Sequence, residues 1–252
     1  MVRTIGALIL REISTSYGRS PGGYIWALAD PILGIALLTV IFQYALGSNT
    51  PLIGTSFPLF YASGYLPFTM YLDVSNKTAQ SLRFSKPLLA YPSVTFIDAL
   101  LARIILNGMV HVIAFTIVVL GIVYIQDVSL NVDVAAVLRA LGLVTLLAAG
   151  IGTLNCYLIL RFPLWERIWS ILTRPLFFMS GLFFTYEIMP NMVRNILWWN
   201  PLLQVIGLMR RGIYGIYRAD YVNELYVLAV ALITFTVGLL LLWRRYRELL
   251  ES

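Results

Sequence analysis

Charged residues are scarce in this chain of 252 residues, where 12% are charged and 60% are hydrophobic. An ordinary soluble domain carries about 25% charged and roughly 45–50% apolar residues. The chain has a net charge of +6, but its basic residues fall between apolar runs rather than on one polar domain, which excludes a typical nucleic-acid-binding domain. The composition therefore predicts an integral membrane protein.

Residue types used for catalysis and metal binding are also rare. The chain has one histidine, His111, and one cysteine, Cys156, so neither a metal cluster nor a disulfide framework is predicted. No G-x-x-x-x-G-K-[ST] phosphate loop occurs, so an ATPase site of that type is absent from the sequence. A serine nucleophile at Ser180 served by His111 lacks a flanking motif. We therefore expect no catalytic residue and no cofactor in this chain.

Long apolar runs dominate what remains. A transmembrane helix needs about 20 mostly apolar residues, because each backbone amide must be satisfied within the segment. Six segments fit this requirement: 26–46, 57–74, 94–124, 134–160, 168–184 and 225–243. The sequence thus predicts an all-α integral membrane protein with six transmembrane helices in a single domain, 1–252.

Basic residues indicate the orientation of these segments. Most of the 18 Lys and Arg residues lie in the N-terminal segment, in the connections 75–93 and 161–167, and in the C-terminal tail. By the positive-inside rule, both termini are predicted to be cytoplasmic. The external connection 185–223 also carries arginines and an apolar stretch too short to span, which predicts a re-entrant hairpin.

Two cytoplasmic segments have distinctive patterns. In residues 1–20, Val2, Ile5 and Ile9 recur on one side, which predicts an amphipathic helix in the interface plane. The connection 76–92 holds Lys77 and Lys86, the two lysines of the chain, around a possible short helix at 79–84. Topology alone explains basic residues at this position.

Aromatic residues recur at steps of three, four or eight in two predicted spans. They are Tyr61, Tyr65 and Phe68 in the second span, and Trp165, Trp169 and Phe177 around the fifth. Such a face suits helix packing, and it also suits stacking against sugar rings, so both interpretations remain open.

Ionisable residues within apolar runs are costly and often functional. The candidates are Asp30, Asp73, Asp98, Arg103 and Arg174. The three aspartates fall near predicted cytoplasmic ends, where a structural role is expected. Arg174 lies about two turns into the fifth span and directly precedes Pro175, which suits a kinked wall of a wet cavity.

The stretch REISTSYGRSPGGYIWALADP, followed by an aliphatic span, resembles the permease subunits of ABC transporters in the polysaccharide-export, KpsM-like branch. RPLFFMSGLFFTYEIMP and NPLLQVIGLMRRGIYG are similar to the family's fifth span and its external re-entrant segment. The basic tail WRRYRELLES also fits, so the resemblance covers essentially the whole chain.

This resemblance implies an exporter of lipid-linked, acidic capsular polysaccharide in the bacterial inner membrane. Two copies of the chain would form a channel lined by the first and fifth spans. Two separate ATP-binding subunits, using ATP and Mg²⁺, would supply the energy that the chain cannot supply itself. A periplasmic adaptor and an outer-membrane channel are expected as further partners, and nucleic acid is not.

The resemblance also assigns roles to individual residues. The channel would be lined by Tyr61, Tyr65, Phe68, Trp165, Trp169, Phe177 and Arg174. Arg11 and Arg19 would receive the anionic end of the substrate. Segment 76–92 would be the coupling helix that contacts the ATP-binding subunit, through Lys77, Leu82, Arg83, Phe84 and Lys86.

Other functions remain as alternatives. The same type of permease exports O-antigen, teichoic acids or small drugs. An intramembrane enzyme would need an acid, base or metal constellation that the sequence lacks. An ATP-independent channel or ion-coupled transporter would need paired broken helices and a charge relay near the midplane.

Overall fold

The described chain is helical throughout, with no β-strand in the ranges 2–17, 25–45, 50–89, 91, 94–129 and 131–251 that the computed structural model describes. Its α-helices are α1 Val2–Glu12, α2 Ile25–Val40, α3 Phe57–Ala79, α4 Ser81–Ser85, α5 Phe96–Gln126, α6 Val134–Arg161, α7 Trp165–Met179, α8 Asn191–Leu197, α9 Pro201–Ile213 and α10 Glu224–Glu251. Short π-helical segments at Ile13–Tyr17 and Ile41–Ala45 follow α1 and α2, and a 3₁₀ turn covers Tyr186–Ile188. The all-α prediction is confirmed.

Polar caps explain where three long helices begin. Ser56 Oγ accepts a hydrogen bond from the Leu59 N–H at 3.2 Å, directly before α3. Asp133 caps α6 in the same way, and Thr95 and Asp98 cap each other's backbone N–H groups at the start of α5. Each cap satisfies an otherwise unpaired N–H and contributes about 1 kcal/mol. Asp98 therefore has a structural role, as its position near a helix end predicts.

Helix α6 is the centre of the bundle and packs against α3, α9 and α10. Two glycines allow the close approach of its neighbours. A Cβ at Gly150 would overlap the Ala231 carbonyl oxygen of α10, and a Cβ at Gly152 would lie 2.7 Å from the Ser75 carbonyl oxygen of α3. Small residues serve helix contact in membranes because association there depends on close packing.

Within the described ranges, four helices are long and apolar enough to cross a membrane: Ile25–Gln43, Phe96–Gln126, Val134–Arg161 and Glu224–Arg245. These confirm four of the six predicted segments as candidate spans. Helix α3 has 23 residues but is less apolar. Helix α7 has only 15 residues, which is about 22 Å against a hydrocarbon core of about 30 Å. The total of six spans therefore stays a prediction.

The other two predicted elements are the N-terminal interface helix and the external re-entrant hairpin. Helix α1 packs on α5 and directs Leu8 and Glu12 inward. In the predicted re-entrant region, α8 has 7 residues and α9 has 13, and each is too short to cross the core alone. Helix α9 is nevertheless buried between α3, α6 and α10. The interface plane of α1 and the depth of the hairpin stay predictions.

Candidate functional site

The predicted coupling segment contains one short helix. Helix α3 ends at Ala79, where the Gln80 N–H donates to the Asn76 carbonyl oxygen at 3.1 Å. Helix α4 follows at once and ends before Lys86 and Pro87, and proline has no N–H with which to continue helical bonding. The regular helix of α3 is therefore interrupted at Gln80, and α4 follows directly after it.

Only part of α4 is available to a partner. Lys86 and Arg83 are exposed. Leu82 is completely buried and belongs to a core cluster with Leu100, Cys156 and other residues of α5, α6 and α10. A side chain without exposed surface cannot contact another subunit in this conformation. Leu82 therefore anchors α4 to the bundle, and the exposed side chains form its outward surface.

Arg83 connects α4 to α7. Its Nη1 lies 2.9 Å from Glu166 Oε2 in the first turn of α7, and its Nη2 donates to the Ile159 carbonyl oxygen of α6 at 3.4 Å. Both charged side chains are almost half exposed, and such ion pairs contribute only about 0–1 kcal/mol to stability. The pair therefore connects α4 to α7 but contributes little to the stability of the fold.

Lys77 is held within the bundle by polar partners. Its Nζ lies 2.9 Å from Asp73 Oδ2 and donates to Asn107 Oδ1 of α5 at 2.8 Å. The same Asp73 oxygen lies 2.9 Å from His111 Nε2. Lys77 thus joins α3 to α5, and His111 is committed to Asp73 rather than to Ser180, which donates to the Leu176 carbonyl oxygen.

Phe84 lies between two arginines. The Arg103 guanidinium carbon is 4.1 Å from the centre of the Phe84 ring, and the Arg11 carbon is 5.3 Å from it. Arg103 also donates to the Lys77 carbonyl oxygen at 2.8 Å, and its Nε lies 3.2 Å from Glu12 Oε1. The last contact is an ion pair by distance, although the Nε–H is not aligned for a hydrogen bond.

The Glu12–Arg103 pair was not predicted as a pair. Both side chains are more than nine-tenths buried, and the pair joins α1 to α5 directly behind α4. Two features of the sequence indicate that Glu12 turns inward. Leu8 and Glu12 are four residues apart, hence on one helix face, and Glu12 is the only acidic residue before Asp30. A lone acidic residue facing inward requires a cation, and Arg103 is that cation.

Helix α7 has no buried residue in the described part of the chain. Arg174 is exposed, and Trp165, Trp169 and Phe177 are half-buried on the side that faces the rest of the chain. Trp165 Nε1 donates to Asn155 Oδ1 of α6 at 2.9 Å. The Trp165 and Trp169 rings are stacked, with centroids 6.3 Å apart. The helix is therefore attached to its own chain along one face only.

The predicted channel aromatics of α3 lie deeper. Tyr61 and Phe68 are 4% and 3% exposed and belong to the main hydrophobic core. Phe68 packs edge-on against Phe177 of α7, with ring centroids 5.4 Å apart. Tyr65 is half-buried against α2, where Gly34 makes room for its ring. In the single chain, Tyr61 and Phe68 therefore pack helices together, the first of the two roles that the sequence left open.

Of the two arginines predicted to receive the substrate, Arg11 is half-buried beside Phe84 at the end of α1. Arg19 lies outside the described residues. Arg11 lies beside α4, and Lys86 directly follows it. The six predicted channel aromatics and Arg174 belong instead to α3 and α7.

Arg210 is a buried cation that sequence reasoning did not single out. It is 2% exposed and donates to the carbonyl oxygens of Phe184 at 2.9 Å and Leu182 at 3.0 Å. Among the described residues, no carboxylate lies within ion-pair distance of it. Its neighbour Arg211 is exposed, so the RR pair alone does not reveal which arginine turns inward. Arg210 fixes the chain where α7 has just ended.

An aromatic cluster lies beyond Arg210, in the predicted external region. The Tyr186 and Tyr221 rings are stacked with centroids 4.1 Å apart, and the Tyr217 hydroxyl donates to the Glu187 carboxylate at 2.9 Å. Burial raises the pKa of Tyr221 to about 12. This phenol therefore stays neutral at physiological pH.

Comparison with known proteins identifies the family. The model of the ABC-2 type transporter family matches residues 3–214. The chain belongs to the ABC-2 type transporter family. The prediction of an ABC transporter permease is thereby confirmed, and the helices of spanning length agree with it.

Relatives of this ABC-2 permease are named for polysialic acid transport or for capsule polysaccharide export. The polysialic acid transport protein KpsM of Escherichia coli is 29% identical over 99% of this chain and 96% of its own length. The capsule polysaccharide export inner-membrane protein CtrC of Neisseria meningitidis is 26% identical over 94% of this chain and 89% of its own. BexB of Haemophilus influenzae, with the same description, is 27% identical over 84% and 80%.

The family match changes the reading of the polar contacts in this ABC-2 permease. Members of the family are transport subunits, and the described residues contain no cluster of three or more metal-ligating side chains. The contacts between α1, α4, α5 and α7 are therefore best understood as connections between helices rather than as a reaction centre.

Proposed function

We propose that this chain is one half of the membrane pathway of an ATP-driven exporter of lipid-linked, acidic capsular polysaccharide. A second copy of the chain completes the pathway in the bacterial inner membrane. Two ATP-binding subunits, which use ATP and Mg²⁺, drive it from the cytoplasm. A periplasmic adaptor and an outer-membrane channel receive the glycan on the other side.

The observation that carries this proposal is that α7 has no buried residue in the single chain. Although the apolar side chains of α7 can face lipid without cost, the exposed charge of Arg174 favours a second protein surface or a water-filled path beside it. Ile171, Leu172 and Phe178 are each more than half exposed. The second copy supplies that surface, and Arg174 on the same helix then faces the path between the two copies.

The substrate class rests on two arguments. The relatives carry polysialic acid or capsule polysaccharide in their names, and polysialic acid is an anionic glycan. Arg174 is an exposed cation in the second half of α7, next to apolar and aromatic residues, and a guanidinium binds carboxylate or phosphate with two parallel hydrogen bonds. Half-buried Trp165, Trp169 and Phe177 add weak stacking surfaces for sugar rings.

The energy source follows from α4. The exposed side chains of Arg83 and Lys86 are suited to contact a cytoplasmic ATP-binding subunit. Leu82 anchors α4 in the bundle, and the Arg83–Glu166 contact joins α4 to the beginning of α7. A movement imposed on α4 therefore reaches the pathway helix through one direct contact.

Co-expression with a candidate ATP-binding subunit tests the proposal. We expect a purified complex with two copies of each chain, and ATP hydrolysis in liposomes that rises when a lipid-linked acidic glycan is added. Isolation of a stable membrane protein that binds no ATP-binding subunit would contradict the proposal.

The double variant Arg83→Glu/Lys86→Glu tests the coupling surface. We expect glycan-stimulated ATP hydrolysis to fall about tenfold, which corresponds to about 1.4 kcal/mol of lost interaction, while the permease dimer still assembles. The matched control Arg211→Glu/Arg218→Glu reverses two exposed arginines in the predicted external region and should leave hydrolysis unchanged. Equal effects of the two double variants would remove α4 from the coupling surface.

Arg174→Ala tests the substrate path. We expect export to fall by about 10- to 100-fold, since a hydrogen bond to a charged group contributes about 1.5–3 kcal/mol. The abundance of the chain should not change, because Arg174 is exposed. Export is measured as glycan transferred into vesicles, with Arg167→Ala, an exposed arginine on the same helix, as the control. Unchanged export in Arg174→Ala would exclude Arg174 from the path.

A further inference from the structure

A polar cleft lies between α2, α3 and α5, apart from α7 and from the exposed side of α4. Its volume is about 690 Å³, and its polar lining includes Asp30, Tyr65, Asp73, Lys77 and His111. The cleft extends along α2 from Trp26 to Leu37 and along α3 from Tyr65 to Lys77. Its end at Trp26 and Lys77 lies at the side of the bundle predicted to be cytoplasmic, where lipid headgroups are expected.

One wall of the cleft holds paired charges in fixed positions. The Asp73 carboxylate binds both Lys77 and His111 at 2.9 Å. The side chains of Lys77 and Asp73 keep 32% and 38% of their surface exposed, so the pair is only partly withdrawn from solvent. Lys77 and Asp73 thus offset each other's charge, and their partners determine the position of the ammonium group in the cleft.

The opposite wall carries a carboxylate without a counter-charge. Asp30 on α2 lines the cleft and is exposed, and within the described ranges it forms no ion pair and no hydrogen bond. Gly34, one turn later on the same face, allows the Tyr65 ring to lie against α2, since a Cβ there would be 2.5 Å from the Tyr65 hydroxyl oxygen. Contact with Tyr65 therefore fixes the part of α2 that carries Asp30.

An apolar strip continues from Asp30 along α2. Leu33 and Leu37 also line the cleft, and each is 61% exposed. With Asp30, they are separated by three and four residues and so lie on one face of the helix. A ligand that contacts Asp30 with a polar group and this strip with hydrocarbon must itself be amphiphilic.

The charges select among amphiphiles. Asp73 offsets the charge of Lys77, so Asp30 is the charge of the lining that no cation within the described residues offsets, which disfavours an anionic headgroup and favours one that carries an ammonium. A zwitterionic headgroup brings that ammonium together with a phosphate, which can lie towards Lys77. A primary ammonium fits a carboxylate better than a trimethylammonium does, because it donates hydrogen bonds to the carboxylate oxygens.

We propose that this cleft binds the phosphoethanolamine headgroup of a membrane lipid, with Asp30 accepting hydrogen bonds from the ammonium group and Lys77 attracting the phosphate. The acyl chains lie along Leu33 and Leu37. The site does not depend on which glycan the protein exports. A bound lipid here braces α2 against α3 and α5.

The test measures lipids that remain bound to the purified full-length chain in detergent, by native mass spectrometry and lipid extraction. The wild-type protein should retain phosphatidylethanolamine, and Asp30→Asn should retain about tenfold less, as expected for the loss of a charged hydrogen bond of about 1.4 kcal/mol. The control Asp127→Asn, at an exposed carboxylate beyond α5, should retain the wild-type amount. Equal retention by wild type and Asp30→Asn would overturn the proposal.

Competition distinguishes the possible ligands. In nanodiscs of phosphatidylcholine, added phosphatidylethanolamine should occupy the wild-type site, whereas added phosphatidylglycerol should not. Equal occupancy by phosphatidylglycerol or phosphatidylcholine would contradict recognition of the ammonium group. Displacement by soluble glycerophosphoethanolamine at the same concentration would identify a site for the free headgroup and overturn the assignment to a lipid.

Discussion

Glu12→Leu is expected to lower the free energy of unfolding of this chain by about 3–5 kcal/mol, because it leaves Arg103 buried without its counter-charge. Arg103 is 6% exposed, and Glu12 is its ion-pair partner at 3.2 Å. Unfolding is measured by titration with sodium dodecyl sulfate in mixed micelles. Arg3→Leu, at an exposed position of the same helix, is the control and should change the midpoint little.

The double variant Glu12→Leu/Arg103→Met separates stability from coupling. Replacing both charges by apolar side chains often restores stability, since no buried charge remains unpaired. We expect the unfolding midpoint of the double variant to return towards that of the wild type, whereas its glycan-stimulated ATP hydrolysis should be below the wild-type rate. Arg103 otherwise contacts Phe84 and the Lys77 carbonyl oxygen at the base of α4. A wild-type rate of ATP hydrolysis in the double variant would show that the Glu12–Arg103 pair has no role in coupling. An unchanged unfolding midpoint in Glu12→Leu would show that the pair contributes no stability.

Arg210→Leu is expected to destabilise the chain by about 2–4 kcal/mol, since a buried acceptor left without a donor costs about 1–3 kcal/mol. The carbonyl oxygens concerned belong to Leu182 and Phe184, which follow the end of α7. Gly181 between α7 and this segment has a φ of 80°, a conformation that glycine adopts readily. The substitution should therefore also loosen the end of α7, which limited proteolysis after residue 181 would detect.

The adjacent arginine provides the control for this prediction. Arg211→Leu changes an exposed position of the same helix, and such substitutions usually alter stability by no more than about 0.5 kcal/mol. Arg210→Lys keeps the charge but loses the planar guanidinium that reaches two carbonyl groups at once. It should recover only part of the stability. Equal midpoints for Arg210→Leu and Arg211→Leu would refute the anchoring role of Arg210.

The positions of the helices were largely predictable from the sequence. Apolar runs of spanning length and capping residues such as Thr95 and Asp133 set the beginnings of α5 and α6, which the structure places at Phe96 and Val134. Both signals are local in the sequence. The family was also recognisable, because stretches around the first span and the region after α7 resemble ABC transporter permeases.

The roles of individual side chains were harder to predict. Leu82 and Phe84 look equivalent in the sequence of the coupling segment, yet Leu82 is buried in the core while Phe84 lies between Arg11 and Arg103. Tyr61, Tyr65 and Phe68 recur at helical spacing, but two of them pack inside the chain and one borders the cleft. Periodicity identifies which residues share a face, and it does not identify what lies opposite that face.

The sequence by itself determined that this protein is a helical membrane protein that resembles ABC transporter permeases, because hydrophobic run length and family pattern are properties of consecutive residues. Only the tertiary structure decided that Glu12 pairs with Arg103, that Arg210 rather than Arg211 turns inward, and that Asp30 and Lys77 line the same cleft. These relations join helices distant in the chain. Their energies depend on burial and distance, which arise only when the helices pack.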